Sequence, residues 1–299
     1  MGLNFQSARM LWDARLAGAS FEKTATLGHL SLRLHPRELA FLRTAYRRQL
    51  GASAEDPLID YRFGDWADPF FRGFLGAREI TIVDNSSFEG ADFLHDMNRP
   101  IPASLQGRFD AVVDAGTLEH VFNAPVAIAN AMAMASVGGK VFLALPANNF
   151  CGHGFYQFSP EFVFRVFTAA NGFRLDQVMF ARGSHHPEIE SLPMRRTYRV
   201  ADPEIVGHRV ELMSCVPIAM LVEATRVREC PLFAEFPQQS DYVRRWELRQ
   251  SEAPTSEGGW RAIRRRMILR LPLALRNWVV GWLLRWRRSL LNRRLFTKV

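Results

Sequence analysis

FDAVVDAGTLEHV at 109–121, VGGKVFLALP at 137–146 and FSPEFVFRVFTAANGF at 158–173 decide how this chain folds. Phe109–Val113 is a short apolar run that stops at Asp114, as a buried strand does when it reaches a loop. Pro125–Ala135 is a helix of small apolar residues, and Gly138-Gly139 is a turn. Lys140–Leu145 is a second strand, ended by Pro146. Pro160–Ala170 reads as a helix closed by Asn171-Gly172, and Phe173–Phe180 as a third strand. Strand, helix, strand, helix, strand in this short span is the rhythm of a parallel sheet with helices on both faces. The near-continuous apolar strands agree, because parallel strands are buried on both sides.

The same rhythm extends outward. Upstream, Met1–Ala19 reads as a short helix and Phe21–Leu30 as a strand candidate running into Gly28. In Pro36–Leu50, Leu39, Leu42 and Tyr46 recur at helical spacing behind an early proline. Gly51–Pro69 is a loop and Phe70–Leu75 a helical turn. Glu79–Val83 is a β-branched run ending at Asp84, and Asp92–His95 leads into Asp96. Downstream, Pro217–Val227 is a last apolar strand.

The chain has 299 residues, of which 48% are hydrophobic and 23% charged, ordinary values for a globular domain. Its net charge of +8 is unevenly placed. Residues 260–299 hold twelve Lys and Arg and no acid, leaving 26 basic and 30 acidic side chains before them. The body is thus mildly acidic, and its charge does not support a nucleic-acid surface. Cys151, Cys215 and Cys230 are few, odd in number and widely spaced. That excludes a disulfide framework, offers no metal spacing and suits a reducing compartment. No apolar core of signal length is visible near Met1, and no apolar run is long enough to span a membrane. A cytoplasmic protein is expected.

In open α/β sheets ligands bind beyond the carboxyl ends of the strands. The residues just past them are Gly28 and His29, Asp84 and Asn85, Asp96–Asn98, and Asp114–His120. A carboxylate after the second strand can accept hydrogen bonds from a ribose diol, and a polar group after the third can meet an adenine amino group. Asp and Asn are also ordinary turn residues, so the set counts for more than any member.

In joint order and spacing, Asp114, Leu118-Glu119-His120, Gly138-Gly139 and Gly172-Phe173 resemble the class I S-adenosylmethionine-dependent methyltransferases. SFEGADFLHDMNRPIP at 87–102 resembles that family's segment between second strand and third-strand loop. The resemblance covers roughly residues 21–227. It implies a Rossmann-like three-layer α/β sandwich, mostly parallel with an antiparallel last strand, and S-adenosyl-L-methionine as cofactor. Gly28 would pass near the methionine part, Asp84 would hold the ribose, and Asp96 and Met97 would flank the adenine. Asp114, Gly116 and Thr117 would line the floor under the sulfonium. One departure stands out. The family's first loop carries an acid and two or three glycines, whereas TATLGHL at 24–30 has Gly28 alone, followed by His29. A catalytically inactive binding or scaffold module is therefore the alternative to an enzyme. A dehydrogenase is opposed by the lack of G-x-G-x-x-G after the first strand.

NNFCGHGFYQFSP at 148–160 crowds Asn, His, Tyr and Gln where such enzymes often place acceptor contacts. His120, His153 and Tyr156 are the candidate catalytic residues, the histidines because imidazole titrates near neutrality. His120 can equally cap or pack at a helix start, and His153 can be a loop residue. His185-His186 lies in a polar loop, and no metal set is read there. Cys151 lacks a defined His and acid partner for nucleophilic work.

The domain division read from composition is 1–235 for the methyltransferase-like domain, 236–259 for a polar linker and 260–299 for a basic amphipathic tail. In the tail, Ile263, Met267, Leu271, Leu275, Trp278, Trp282, Trp286 and Leu290 recur every three or four residues among arginines. Pro272 divides two helices. Such a segment suits an anionic membrane interface. Packing on the domain, on a second subunit, or on RNA are the other readings. The acceptor expected is a small molecule, or a glycan or lipid-linked group at the membrane surface.

Overall fold

The computed structural model describes residues 2–51, 55–182, 197–250 and 267–299. Its strands are β1 (Gly2–Asn4), β2 (Lys23–Leu27), β3 (Ser31–Arg33), β4 (Glu79–Asp84), β5 (Phe93–Leu94), β6 (Phe109–Asp114), β7 (Ala135–Asn148), β8 (Phe173–Arg182), β9 (Thr197–Val200), β10 (Ile218–Arg226) and β11 (Phe296–Lys298). The helices are α1 (Phe5–Leu16), α2 (Pro36–Leu50), α3 (Ala124–Met134), α4 (Pro160–Val166), α5 (Pro203–Val206), α6 (Ser240–Gln250) and α7 (Leu273–Arg287).

Nine strands form one sheet in the order β11-β9-β8-β10-β7-β6-β2-β4-β5. β5, β4, β2, β6 and β7 run parallel, and β10 is inserted antiparallel between β7 and β8. Alternate side chains of each central strand serve opposite cores. Phe109 and Val112 of β6, with Val141 and Leu143 of β7, pack on α3 and α4 through Ala127, Ile128, Ala131, Val163 and Val166. Ala111, Val113 and Phe142 face the other way. They join Phe5, Leu11 and Trp12 of α1, Leu39 and Leu42 of α2, and Phe70, Phe71 and Phe74 of a single π-helical turn. The arrangement is the expected three-layer sandwich, mostly parallel with a late antiparallel strand.

Several elements depart from the sequence reading. Gly138-Gly139 is not a turn ahead of a strand but lies inside β7. Ala135 pairs with Phe109 and Lys140 with Ala111, so the extra residues are absorbed as an irregularity. α4 ends at Val166, four residues short of the reading, and the remaining turn is a 3-10 helix at Ala169–Asn171. Within the segment read as a linker, α6 is helical. The Ser240 N–H at its start donates to Glu161 Oε1 at 2.7 Å, and Tyr242 stacks on Trp246. The basic tail does not stay apart from the domain. Its end forms β11, antiparallel to β9, and Phe296 is 1% exposed against Phe180. Trp260, Ile263, Arg264–Arg266 and His185-His186 lie outside the described residues.

Candidate functional site

The strand order gathers the residues of interest at one end of the sheet. β2 lies between β4 and β6, with Leu27 level with Val83 on one side and Asp114 on the other. Gly28 therefore emerges between Asp84 and Ala115. Its N–H donates to the Val83 carbonyl at 2.8 Å, and its φ of +74° is a left-handed conformation that glycine adopts without strain.

Asp114 ends β6 fully inside the protein. Its Oδ1 accepts from the Thr117 N–H at 2.9 Å, and its Oδ2 from the Leu118 N–H at 3.4 Å. Burial raises its pKa to about 6, and the hydrogen bonds from Thr117 and Leu118 only partly offset the shift. Thr117 Oγ1 donates to the Leu27 carbonyl at 2.7 Å, riveting this turn to the end of β2. Gly116, with φ 111°, makes the turn between them. Gly28, Asp114, Gly116 and Thr117 are thus brought together.

Asp84 and Asp96 stand farther out. Asp84 Oδ1 caps the Ser86 N–H at 3.2 Å. Asp96 Oδ1 accepts from both Asn98 N–H at 2.9 Å and Asn98 Nδ2 at 2.8 Å, and these bonds hold its pKa below the usual carboxylate value. Met97 is buried among the core residues beside α3, where its carbonyl accepts from Asn130 Nδ2 at 3.3 Å.

The departure after β2 has a structural counterpart. His29 stacks on Trp66, with ring centres 3.8 Å apart. Its Nε2 meets Asp68 Oδ2 at 2.9 Å and its Nδ1 meets the Glu89 carbonyl at 2.7 Å. One ring thereby ties the loop after β2 to the loop after β4 and to the segment before the π-helical turn. Sequence reading passed over Trp66 and Asp68, whose roles depend on a contact across 37 and 39 positions.

On the other side of Asp114, Leu118–His120 is a 3-10 turn. The Glu119 carbonyl accepts the N–H groups of Phe155 at 2.8 Å and Tyr156 at 3.3 Å, so the loop after β7 lies directly on it. A Cβ at Gly154 would sit 2.8 Å from that carbonyl oxygen, which is why glycine occupies the position. The Glu119 carboxyl is 2% exposed, with Oε1 3.5 Å from His153 Nε2. Burial, and secondarily the charge of Asp114, raises its pKa to about 8. The His120 and His153 rings are 5.3 Å apart. Burial, then His153, lowers the His120 pKa. Tyr156 donates its hydroxyl to the Phe122 carbonyl at 2.6 Å, and Asn149 Nδ2 donates to the Ser214 carbonyl at 2.6 Å. Glu119 entered the sequence reading only as a motif letter; its burial between the strand end and the histidines was not visible there.

No family model matches the chain, and no curated protein matches it. Among solved structures, it is similar to the branched-chain polyamine synthase of Thermus thermophilus at 10% identity and a TM-score of 0.36, over 78% of this chain and 60% of that one. The chain thus spans less than two thirds of that enzyme. It is also similar to the N-methyltransferase NodS of Bradyrhizobium japonicum WM9 at 13% identity and a TM-score of 0.37, over 75% of this chain and 96% of that one. A third is the 1,6-didemethyltoxoflavin-N1-methyltransferase of Burkholderia thailandensis, at 12% identity and a TM-score of 0.38, over 74% of this chain and 79% of that one. With β5-β4-β2-β6-β7-β10-β8 side by side and β10 alone reversed among them, the chain has a Rossmann-like fold, mostly parallel with one antiparallel late strand.

Proposed function

We propose that this chain is a methyltransferase that uses S-adenosyl-L-methionine to methylate a small-molecule or a glycan- or lipid-linked acceptor. One observation carries the reading: Asp84, Asp96 and Asp114 follow three parallel strands of one half-sheet, around a glycine turn at Gly28. Asp84 keeps one carboxylate oxygen beyond its Ser86 cap for the ribose diol. Asp114, buried, with the half-buried Gly116 and Thr117 forms a floor suited to the sulfonium, and Asp96-Met97 flank the adenine position. The cofactor, when bound, supplies a methyl group on a cationic sulfur. The chain's part is to orient acceptor and sulfur in line and to exclude water. The loop at 149–158 offers His153 for contact with the acceptor, and His120 faces it across the site. Tyr156 acts mainly by shaping the loop, because its hydroxyl is engaged by Phe122.

Calorimetric titration with S-adenosylhomocysteine tests this directly. Saturable heat that weakens at least about tenfold in Asp84→Ala is expected, from the loss of charge-assisted hydrogen bonds. A folded protein that gives no heat and no thermal shift would overturn it. That result would favour the second reading, a methyltransferase-like binding module. The observation behind this second reading is the His29 ring, tied to Trp66 and Asp68 where the family has glycines and an acid.

Action at an anionic membrane surface is part of the proposal. α7 has no buried residue, and Trp278, Trp282 and Trp286 on it are 68%, 57% and 55% exposed. Beside its end is a cavity of about 650 Å³ lined in part by Arg209, Arg287, Arg288, Arg293 and Arg294. Arg209 and Arg288 are paired with Asp241 and Glu211, but the balance is basic and suits an anionic headgroup. Among the described residues no helix is long and apolar enough to cross a membrane.

A further inference from the structure

We propose that Glu119, His120 and His153 form a binding site for a divalent transition-metal ion of the zinc or manganese type. The three side chains offer one carboxylate oxygen and two imidazole nitrogens, all within 4.8 Å of one another. Two imidazoles and a carboxylate suit borderline first-row ions, and three protein ligands leave positions open for water or a substrate oxygen.

The carboxylate is the most informative member. Glu119 is almost wholly buried, yet among the described residues its Oε2 has no hydrogen-bond partner. Buried polar atoms are seldom left so, since each keeps the cost of losing its water. Its other oxygen faces His153 Nε2. A cation placed between carboxylate and imidazoles satisfies the carboxylate where the chain itself does not. Asp114, buried at the end of β6, adds a second negative charge behind it.

The scaffold holds the ligands from two directions. Glu119 and His120 are consecutive on the 3-10 turn that Thr117 fixes to β2. His153 comes from the loop after β7, whose Phe155 and Tyr156 N–H groups bind the Glu119 carbonyl. Gly154, next to His153, permits that approach. Ligands each about 2.1 Å from a tetrahedral ion lie about 3.4 Å apart, so the widest separation must close by roughly an ångström. Both histidine rings lie at the exposed side of the cluster and can make this adjustment by side-chain rotation. A role in holding an acceptor oxygen rests on the methyl-transfer reading; the binding of the ion does not.

The test is a Zn2+ titration of the chelator-stripped full chain, followed by calorimetry and by competition with a chromophoric chelator. One equivalent should bind, and His120→Ala and His153→Ala should each weaken it by at least about tenfold. Glu119→Gln should weaken it likewise, while His208→Ala, outside the cluster, should not. Circular dichroism confirms that each variant is folded; the two His variants alter exposed rings and keep the test usable if Glu119→Gln fails to fold. Absence of saturable binding, or binding indifferent to both His variants, would overturn the site. Titration with S-adenosylhomocysteine on the same samples separates the two proposals. Homocysteine-nucleoside binding without Zn2+ binding defeats the metal site alone, and the converse defeats the methyl-transfer reading alone.

Discussion

The imidazole of His29 lies flat on the indole of Trp66, the planes 6° apart. The ring is fixed at both nitrogens, by Asp68 and by the Glu89 carbonyl. Under the proposed function this clamp replaces the glycine-rich loop as the device that sets the backbone against the cofactor. Trp66→Ala and Asp68→Asn should each lower S-adenosylhomocysteine affinity about tenfold, the equivalent of about 1.4 kcal/mol. Asp68→Asn should leave the melting temperature nearly unchanged, since Asp68 is partly exposed. Unaltered calorimetric affinity in both variants would mean that the clamp is only structural.

Phe296 gives the second prediction. Its ring is buried 5.6 Å from that of Phe180, although it belongs to the basic tail. Phe296→Ala should cost about 3–5 kcal/mol, the usual range for emptying a buried aromatic site. Urea unfolding of the full chain measures it. A loss under about 1 kcal/mol would show that β11 is not part of the folded sheet in solution.

Lys140 carries a pH-dependent prediction. Its Nζ contacts Asp176 Oδ2 and Glu223 Oε1, both at 2.7 Å. Burial alone would raise the Asp176 pKa, but hydrogen bonds from Lys140, Thr225 and Arg174 outweigh it and the pKa is lowered. Burial alone would lower that of Lys140, but its carboxylate partners outweigh it and the pKa is raised. The carboxylate part of this stability is complete above the unfolded-state pKa of Asp176 and is lost as pH falls through the lower folded value. The lysine part is complete below the unfolded-state pKa of Lys140 and is lost as pH rises through its higher folded value. Lys140→Met should therefore cost roughly 3 kcal/mol at neutral pH. The deficit should narrow as the pH falls toward 3, as followed by chemical unfolding across pH. A deficit constant from pH 7 to pH 3 would assign the effect to packing.

The tryptophans of α7 supply the fourth. Replacing Trp278, Trp282 and Trp286 together by Ala should abolish co-sedimentation with vesicles containing phosphatidylserine. Folding should be unaffected, because none of the three is buried. Binding retained by the triple variant would remove the aromatic face from the interaction and leave the arginines of the neighbouring cavity.

Much of the fold is legible in the sequence because its central strands are largely apolar, and β4 and β6 each end in an acid. β4, β6, β8 and β10 fall within two residues or so of where the pattern puts them. β9 and β11 escape it, since strands of four and three residues are too short for alternation to register. The site is legible where it is local. Gly28, Asp84 and Asp114 follow from strand ends, whereas Glu119 and His153 meet only because the loop after β7 folds back on the turn after β6. The His29 clamp depends in the same way on residues far along the chain. Met97 follows from a strand end too, but its burial in the core beside α3 depends on packing that the sequence does not display.

β11 has a mechanical consequence. From Arg288, which pairs with Glu211 and accepts the Met213 N–H, the chain reaches the sheet edge within eight residues. α7 is therefore a bracket bolted to the outermost strand, not a float on a slack line. Under the proposed membrane association, a bilayer gripping its tryptophans would also set the angle at which the sheet stands on the surface. The mouth at the far strand ends would then open toward a fixed depth, and the chain would choose among acceptors by their height above the lipid as well as by their chemistry.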